Sequence, residues 1–302
     1  MESTSENMQL PVRSISLPAR LVNPNFLKIE AELNKLKTCE SSSPSAATAE
    51  AEAAAYGLNR LAELYNCIEE FIHSPCTQQS LGNQQHKTLV EQALDTSVGL
   101  LDACSNSRDL ILIMKEQLQE LQSALRRRGG NSSLERNIHA YISFRKKSRK
   151  DIAKCLKKLK GIETTMGSFP AVDVVDQHLS MVIQVLRESS ASTISIFRSI
   201  LLFLSMPPEM KAKVGGWNLV RKLIPSKKLS QEVFNEVGNV DTAICSLHGQ
   251  IRDNVVAKFD VQMILNRLDT LDFGFNDIET GLDCLFRRLI QNRVSLLNML
   301  TP

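Results

Sequence analysis

The stretch from Glu279 to Leu300 reads ETGLDCLFRRLIQNRVSLLNML. Its apolar residues recur three and four positions apart, which is the spacing of one face of an α-helix. A stripe this wide needs other helices to cover it, so we expect the rest of the chain to supply them. The stripe comprises Ile278, Leu282, Leu285, Phe286, Leu289, Val294, Leu296, Leu297 and Leu300.

The composition of the 302 residues favours helices. Aromatic residues make up only 5% of the chain, and no run alternates between apolar and polar residues in the way of a strand. The net charge of +3 gives no overall signature of nucleic-acid binding. The seven cysteines are scattered and none forms C-x-x-C, so we expect a reduced, intracellular compartment.

The same apolar spacing recurs upstream and predicts an all-α protein. We expect an elongated bundle of seven to nine long helices, mostly antiparallel, in one domain over residues 24–302. The polar, Ser-rich residues 1–23 predict a disordered tail, and the Ser/Pro-rich segment at about 40–50 predicts a linker. A basic helix is expected at about 132–166 and the C-terminal helix at about 276–300.

Neither a signal peptide nor a membrane span is expected. The first residues are polar and include Glu2 and Glu6, with no apolar segment. The most apolar run, from Ile194 to Met206, is interrupted by Arg198 and is shorter than the roughly 20 residues that a spanning helix needs. We expect the protein to lie in the cytoplasm, with the nucleus and the plastid as alternative locations.

Charge is distributed unevenly along the chain. Between Arg126 and Lys160 there are thirteen cations and two acids, so the remainder of the chain is net negative. Such a segment could attract an anionic membrane, a phosphate backbone or an acidic protein. The alternative is a solvated face that pairs with the protein's own acidic helices. The candidate basic surface consists of Arg126, Arg127, Arg128, Arg145, Lys146, Lys147, Arg149, Lys150, Lys154, Lys157 and Lys158.

A second candidate site lies in the predicted tail, where the sequence from Arg13 to Pro18 is RSISLP. An arginine three residues before Ser16 suits basophilic kinases. The pattern also resembles the phosphoserine ligand of 14-3-3 proteins, in which an arginine cluster would hold the phosphate. We therefore predict phosphorylation of Ser16, and capture by 14-3-3 proteins as one possible consequence.

No pattern indicates catalysis, a cofactor or a metal. The five histidines stand at no recognisable metal-binding spacing, and neither a glycine-rich phosphate loop nor G-x-S-x-G is present. Aromatic residues are too few, and nucleic-acid motifs are lacking, so sequence-specific recognition of nucleic acid is not expected. We expect a protein that is not an enzyme.

The predicted C-terminal helix also carries three arginines, which are Arg287, Arg288 and Arg293. We expect them to pair at the surface or to lie with their aliphatic stems over the core. The alternative is a fixed network with acids of a neighbouring helix, such as Asp269 or Asp272.

Four motifs together resemble one family. They are RSISLPAR from Arg13, PCTQQSL from Pro75, YISFRKK from Tyr141 and the C-terminal LFRRLI followed by RVSLLN. They resemble a plant-specific family grouped with the BYPASS-type (BPS-like) proteins, over nearly the whole chain. The sequence departs from that family at Phe273-Gly274-Phe275, where a more regular helix would be expected.

The resemblance implies a helical protein without known enzymatic activity, linked to root and shoot development. We therefore expect a regulatory or scaffold protein that acts through contacts with other proteins. The alternative is a peripheral binder of anionic membranes or polyanions that uses the basic helix at 126–160.

Overall fold

The computed structural model describes residues 23–41, 50–127, 131–166, 177–206, 235–252 and 258–300. These residues form eight α-helices and a short 3-10 turn at Gln84–His86, with no β-strand among them, which confirms the all-α prediction. The predicted tail and most of the predicted linker lie outside the described residues. In chain order the helices are α1 (Pro24–Ser41), α2 (Glu50–Ile72), α3 (Pro75–Leu81), α4 (Lys87–Arg126), α5 (Asn131–Met166), α6 (Gln177–Ser205), α7 (Glu236–Arg252) and α8 (Lys258–Asn298).

Helix α8 is covered by α2 on one side and by α4 on another, so the C-terminal helix does organise the bundle. It begins at Lys258, well before the expected start near position 276. The helix passes through Phe273-Gly274-Phe275 without a break, and Phe275 is fully buried. Its buried apolar residues are Ile264, Leu268, Leu271, Phe275, Ile278, Leu282, Leu285, Leu289 and Leu296.

Two glycines allow α2 and α8 to approach closely. A Cβ on Gly274 would lie 2.7 Å from the Cβ of Ala51, and a Cβ on Gly281 would lie 2.8 Å from the Cβ of Leu58. The second pair lies seven residues after the first pair on both helices, so α2 and α8 run parallel. Gly274 therefore does not interrupt the helix; its missing side chain makes room for α2.

The rotational phase of α8 corrects part of the predicted stripe. Val294 and Leu297 were expected to be in the core, but they are 49% and 41% exposed. The buried positions between Leu289 and Leu296 are held by the polar residues Asn292 and Ser295, and the Asn292 amide donates to the backbone oxygen of Tyr65. Because these inward positions carry polar residues, the spacing of the apolar residues alone does not give the rotational phase of α8.

Helix α5 packs against α4, α6 and α7. Its buried apolar residues lie on one side and its lysines on the other, as the spacing of an amphipathic helix requires. The buried apolar side chains are Ile138, Tyr141, Ile152, Leu159 and Met166.

The glycine contact generates a prediction about stability. In Gly274→Ala, the new methyl group collides with Ala51, and neither methyl group can rotate away. Such overpacking costs about 1–3 kcal/mol. Gly161→Ala on α5 is the matched control because a Cβ there meets nothing within 4 Å, so only the helix-propensity gain of about 1 kcal/mol remains.

Urea unfolding followed by circular dichroism should therefore place Gly274→Ala about 1–3 kcal/mol below Gly161→Ala. Adding Ala51→Gly to Gly274→Ala should recover part of the difference, since it removes the other methyl group. Equal unfolding free energies for the two alanine variants would contradict the close contact.

Candidate functional site

Three residues of α5 point at the facing helix α7 and at the end of α6. Tyr141, Arg145 and Arg149 are spaced by four residues, so they lie on one face of α5, one above the other. Their common partner is Asp241 on α7. These four residues are called the buried arginine cluster below.

Asp241 accepts hydrogen bonds from all three partners. Arg145 binds it with two nitrogens: Nε donates to Oδ1 and Nη2 donates to Oδ2, each at 2.8 Å. Arg149 Nη2 donates to Oδ2 at 2.6 Å, and the Tyr141 hydroxyl donates to Oδ1 at 2.8 Å. The side chains of Arg145 and Asp241 are only 2% and 3% exposed, so this is a two-pronged ion pair inside the protein.

The same arginines hold the C-terminal end of α6. Arg145 Nη1 donates to the carbonyl of Leu204 at 3.0 Å, and Arg149 Nη2 donates to that of Met206 at 3.1 Å. The last carbonyls of a helix have no partner within the helix and carry a partial negative charge. The guanidiniums supply donors and a compensating positive charge, so the cluster joins α5, α6 and α7.

Burial and charge shift the pKa values within the cluster. Burial, followed by the charge of Asp241, raises the pKa of Tyr141 well above its usual range, so the phenol stays protonated and can donate. Burial lowers the pKa of Arg149. Burial acts in the same direction on Arg145, but the charges of Asp241 and Tyr141 and the hydrogen bond to Asp241 together outweigh it and raise the pKa of that guanidinium. With two guanidiniums and one carboxylate, the cluster keeps one net positive charge.

The position of Arg145 corrects the predicted basic surface, which included this residue. A count of charges along the chain does not show which side of a helix each charge occupies, and position 145 lies on the buried side. Sequence reasoning also missed Asp241. The spacing of apolar residues could have indicated a buried acid here, because Asp241 lies on the same face of α7 as the buried Val237 and Ile244.

Seven lysines of α5 are exposed on the opposite side of the helix, and this set is called the lysine face. At 100° per residue they span an arc of about 160°, centred opposite the buried side, and they extend over about 21 Å. Within the described residues, Lys154 pairs with Asp151, and no ion pair is formed by the other six. The lysine face consists of Lys146, Lys147, Lys150, Lys154, Lys157, Lys158 and Lys160.

Three acids of α8 pair with basic residues of α4 and not with the lysine face. Along the antiparallel contact of α4 and α8, three ion pairs form a ladder. Within the predicted basic surface, pairing with acids of other helices therefore holds for Arg126, Arg145 and Arg149 and does not extend to the lysine face. The ladder comprises Arg108 with Asp283, Lys115 with Glu279 and Arg126 with Asp269.

The other members of the predicted basic surface lie near the end of α4. Arg126 is exposed and pairs with Asp269 at 2.9 Å. Arg127 is exposed and donates to the hydroxyl of Ser123, one turn earlier. Arg128 lies outside the described residues.

The three C-terminal arginines are not in one network. Arg293 Nη1 donates to the hydroxyl of Ser97 at 2.7 Å, which ties α8 to α4. Arg288 bonds to Gln291 one turn along the same helix, and Arg287 is exposed. The alternative network with Asp269 or Asp272 of a neighbouring helix is wrong, because both residues belong to α8 itself and Asp269 binds Arg126 and Gln122.

The predicted phosphorylation site, with Arg13, Ser16 and Pro18, lies outside the described residues. Phosphorylation of Ser16 and its capture by 14-3-3 proteins stay predictions.

The comparison with known families covers the helices just described. The family model described as Protein BPS1 matches residues 57–299, which include the buried arginine cluster and the lysine face. The chain belongs to the BPS1 family. At the level of the family, membership supports a plant developmental regulator. No curated protein matches the chain, and no solved structure matches it.

The described helices of this BPS1-family chain differ in length and in apolar character. None of them combines the length and the apolar character that crossing a membrane requires. The apolar run that begins at Ile194 is part of α6, where Phe197, Ile200 and Leu204 are buried in the core.

The cluster generates a prediction about stability. Asp241→Ala leaves two guanidiniums below the surface without their counter-ion, which costs about 3–5 kcal/mol. Asp269→Ala is the matched control because Asp269 and its partner Arg126 are 53% and 58% exposed, and exposed pairs contribute about 0–1 kcal/mol. Chemical denaturation of both variants measures the difference, and losses of equal size would show that the cluster does not hold the helices together.

Proposed function

We propose that the protein is a non-enzymatic regulatory scaffold in root and shoot development that acts by binding an acidic surface of a partner protein. Membership of the BPS1 family supports the developmental role. The lysine face supports the mode of action, because it is a concentrated charge on α5 that the fold does not use for its own packing.

The buried polar chemistry supports a role without catalysis. The buried cations, carboxylate and phenol of the cluster bind one another and the end of α6. Asn292 binds the backbone of α2, and the buried hydroxyl groups of Tyr65 and Thr193 bond to each other. Each of these groups is engaged in joining helices, which leaves the exposed surface to carry the function.

A folded acidic protein surface fits the lysine face for two reasons. Lysine ammonium groups are compact point charges on flexible stems, so they adapt to carboxylates at varied positions. A field of one sign also speeds encounter with an oppositely charged partner and makes binding sensitive to salt. The lysine face has no interleaved aromatic residue on which bases could stack, which argues against single-stranded nucleic acid.

An anionic bilayer is the second candidate partner. The observation that favours it is the extent of the lysine face: about 21 Å of one helix presents ammonium groups to the same side. Each lysine near an anionic membrane surface contributes about 1 kcal/mol. The apolar side of α5 is buried in the bundle, so such binding would be electrostatic and would not insert the helix into the bilayer.

Charge reversal tests the proposal. In the triple variant Lys146→Glu, Lys147→Glu, Lys150→Glu, like charges face the partner, and we expect its affinity to fall about tenfold or more. The matched control replaces the same lysines with arginine, which keeps the charge and the helix. Proximity labelling in plant root cells, comparing both variants with the wild type, identifies the proteins that leave the labelled set.

Purified protein completes the test with vesicles that contain phosphatidylserine, at low and high salt. Loss of soluble proteins from the labelled set in the glutamate variant, without vesicle binding, supports the protein partner. Salt-sensitive vesicle binding that the glutamate variant loses would replace that partner with a membrane surface. An unchanged labelled set together with no vesicle binding would refute both.

A further inference from the structure

A second contact between α5 and α7 contains two histidines and a carboxylate. His139 on α5 faces His248 on α7, with 3.2 Å between their Nε2 atoms. The rings meet edge to face, with centroids 4.6 Å apart. Glu135 lies one turn before His139, and ligand atoms of the three side chains all lie within 4.8 Å of one another. The spacing along the chain shows only the pair on α5; His248 joins it through the packing of the two helices.

The distance between the two nitrogens suits a shared metal ion. Imidazole nitrogens bind Zn²⁺ at about 2.0–2.1 Å, and a tetrahedral angle between two such bonds places the nitrogens about 3.3–3.4 Å apart. The observed 3.2 Å is close to that separation. The carboxylate of Glu135 is on the same side of α5 as His139, since positions four apart on a helix are neighbours.

We propose that Glu135, His139 and His248 bind a divalent transition-metal ion of the zinc type. Two imidazoles and one carboxylate are a set of ligands that zinc accepts, with water as the fourth ligand. His139 is exposed, and Glu135 and His248 are half-buried, so an ion can reach the site from solvent. The role is that of a clip between α5 and α7 rather than a catalyst.

The clip would act on the contact that the buried arginine cluster also holds. His139 and Arg145 are six residues apart on α5, or about 9 Å, and their partners His248 and Asp241 follow the same antiparallel order on α7. A bound ion would join α5 and α7 at a second point. Because an ion that binds the folded state stabilises it, zinc should raise the midpoint of thermal unfolding.

The competing interpretation is a metal-free hydrogen bond, in which one neutral imidazole donates to the other. Both interpretations share the same distance, so the test must detect the ion. Free cysteines of the chain, including the exposed Cys76 and Cys284, are competing zinc ligands. Cobalt separates the two sources, because thiolate ligands give Co²⁺ a charge-transfer absorption that nitrogen and oxygen ligands do not.

The experiment uses the full chain, stripped of metal with a chelator and titrated with Zn²⁺ by calorimetry and with Co²⁺ by absorption spectroscopy. We expect one ion per chain, a tetrahedral cobalt spectrum without thiolate absorption, and a higher midpoint of thermal unfolding with zinc. His139→Ala and His248→Asn should each weaken binding about tenfold or more, and Glu135→Gln should weaken it less. His73→Ala is the control, since His73 is exposed at the end of α2 and should leave binding unchanged.

Circular dichroism establishes that each variant is folded before its titration is interpreted. No saturable uptake of one ion, a thiolate spectrum, or full affinity in His248→Asn would each overturn the proposal. The result does not depend on the lysine face, so the metal site and the proposed function can fail separately.

Discussion

The carboxylate of Asp241 lies between the guanidiniums of Arg145 and Arg149, below the surface where α5 meets α7. Charges removed from water are strongly unfavourable unless each one is paired. This requirement restricts how α5 can sit in the bundle. Turning it by one residue, about 100°, would take Arg145 away from its partner and bring other charges toward the core. The pairing thus favours one rotational setting of α5 and, through Leu204, one position for the end of α6.

That setting determines what the protein presents to its surroundings. With its arginine side held inward, α5 directs the lysine face to solvent over about four turns. The acids Asp283 and Glu279 of α8 pair with α4 and not with the lysine face. Inward pairing and outward charge are therefore two consequences of one amphipathic helix, and this connects the stability of the bundle to the proposed binding of an acidic surface.

Apolar spacing predicted the all-α fold because it reports directly on one buried face, as in α2. In α8 it gave the helix but misplaced its start and two residues of its buried face. It could not place individual charges, since Arg145 and Lys146 are neighbours in the chain but lie on different sides of α5. The expectation of an irregular helix at Gly274 was wrong for a related reason. The sequence does not show that α2 packs against this glycine and that the contact leaves no room for a side chain. The juxtaposition of His139 and His248 depends wholly on tertiary packing, which no spacing within one helix reveals.

The central claim is that the lysine face is where the protein meets its partner. Site-specific photocrosslinking in root cells tests it most directly, with a photoreactive residue at Lys150 or Lys157 and a control at Glu63, which is exposed on α2. We expect covalent adducts to a discrete protein from both α5 positions and none from Glu63. Adducts from Glu63 alone, or the same adducts from all three positions, would contradict it.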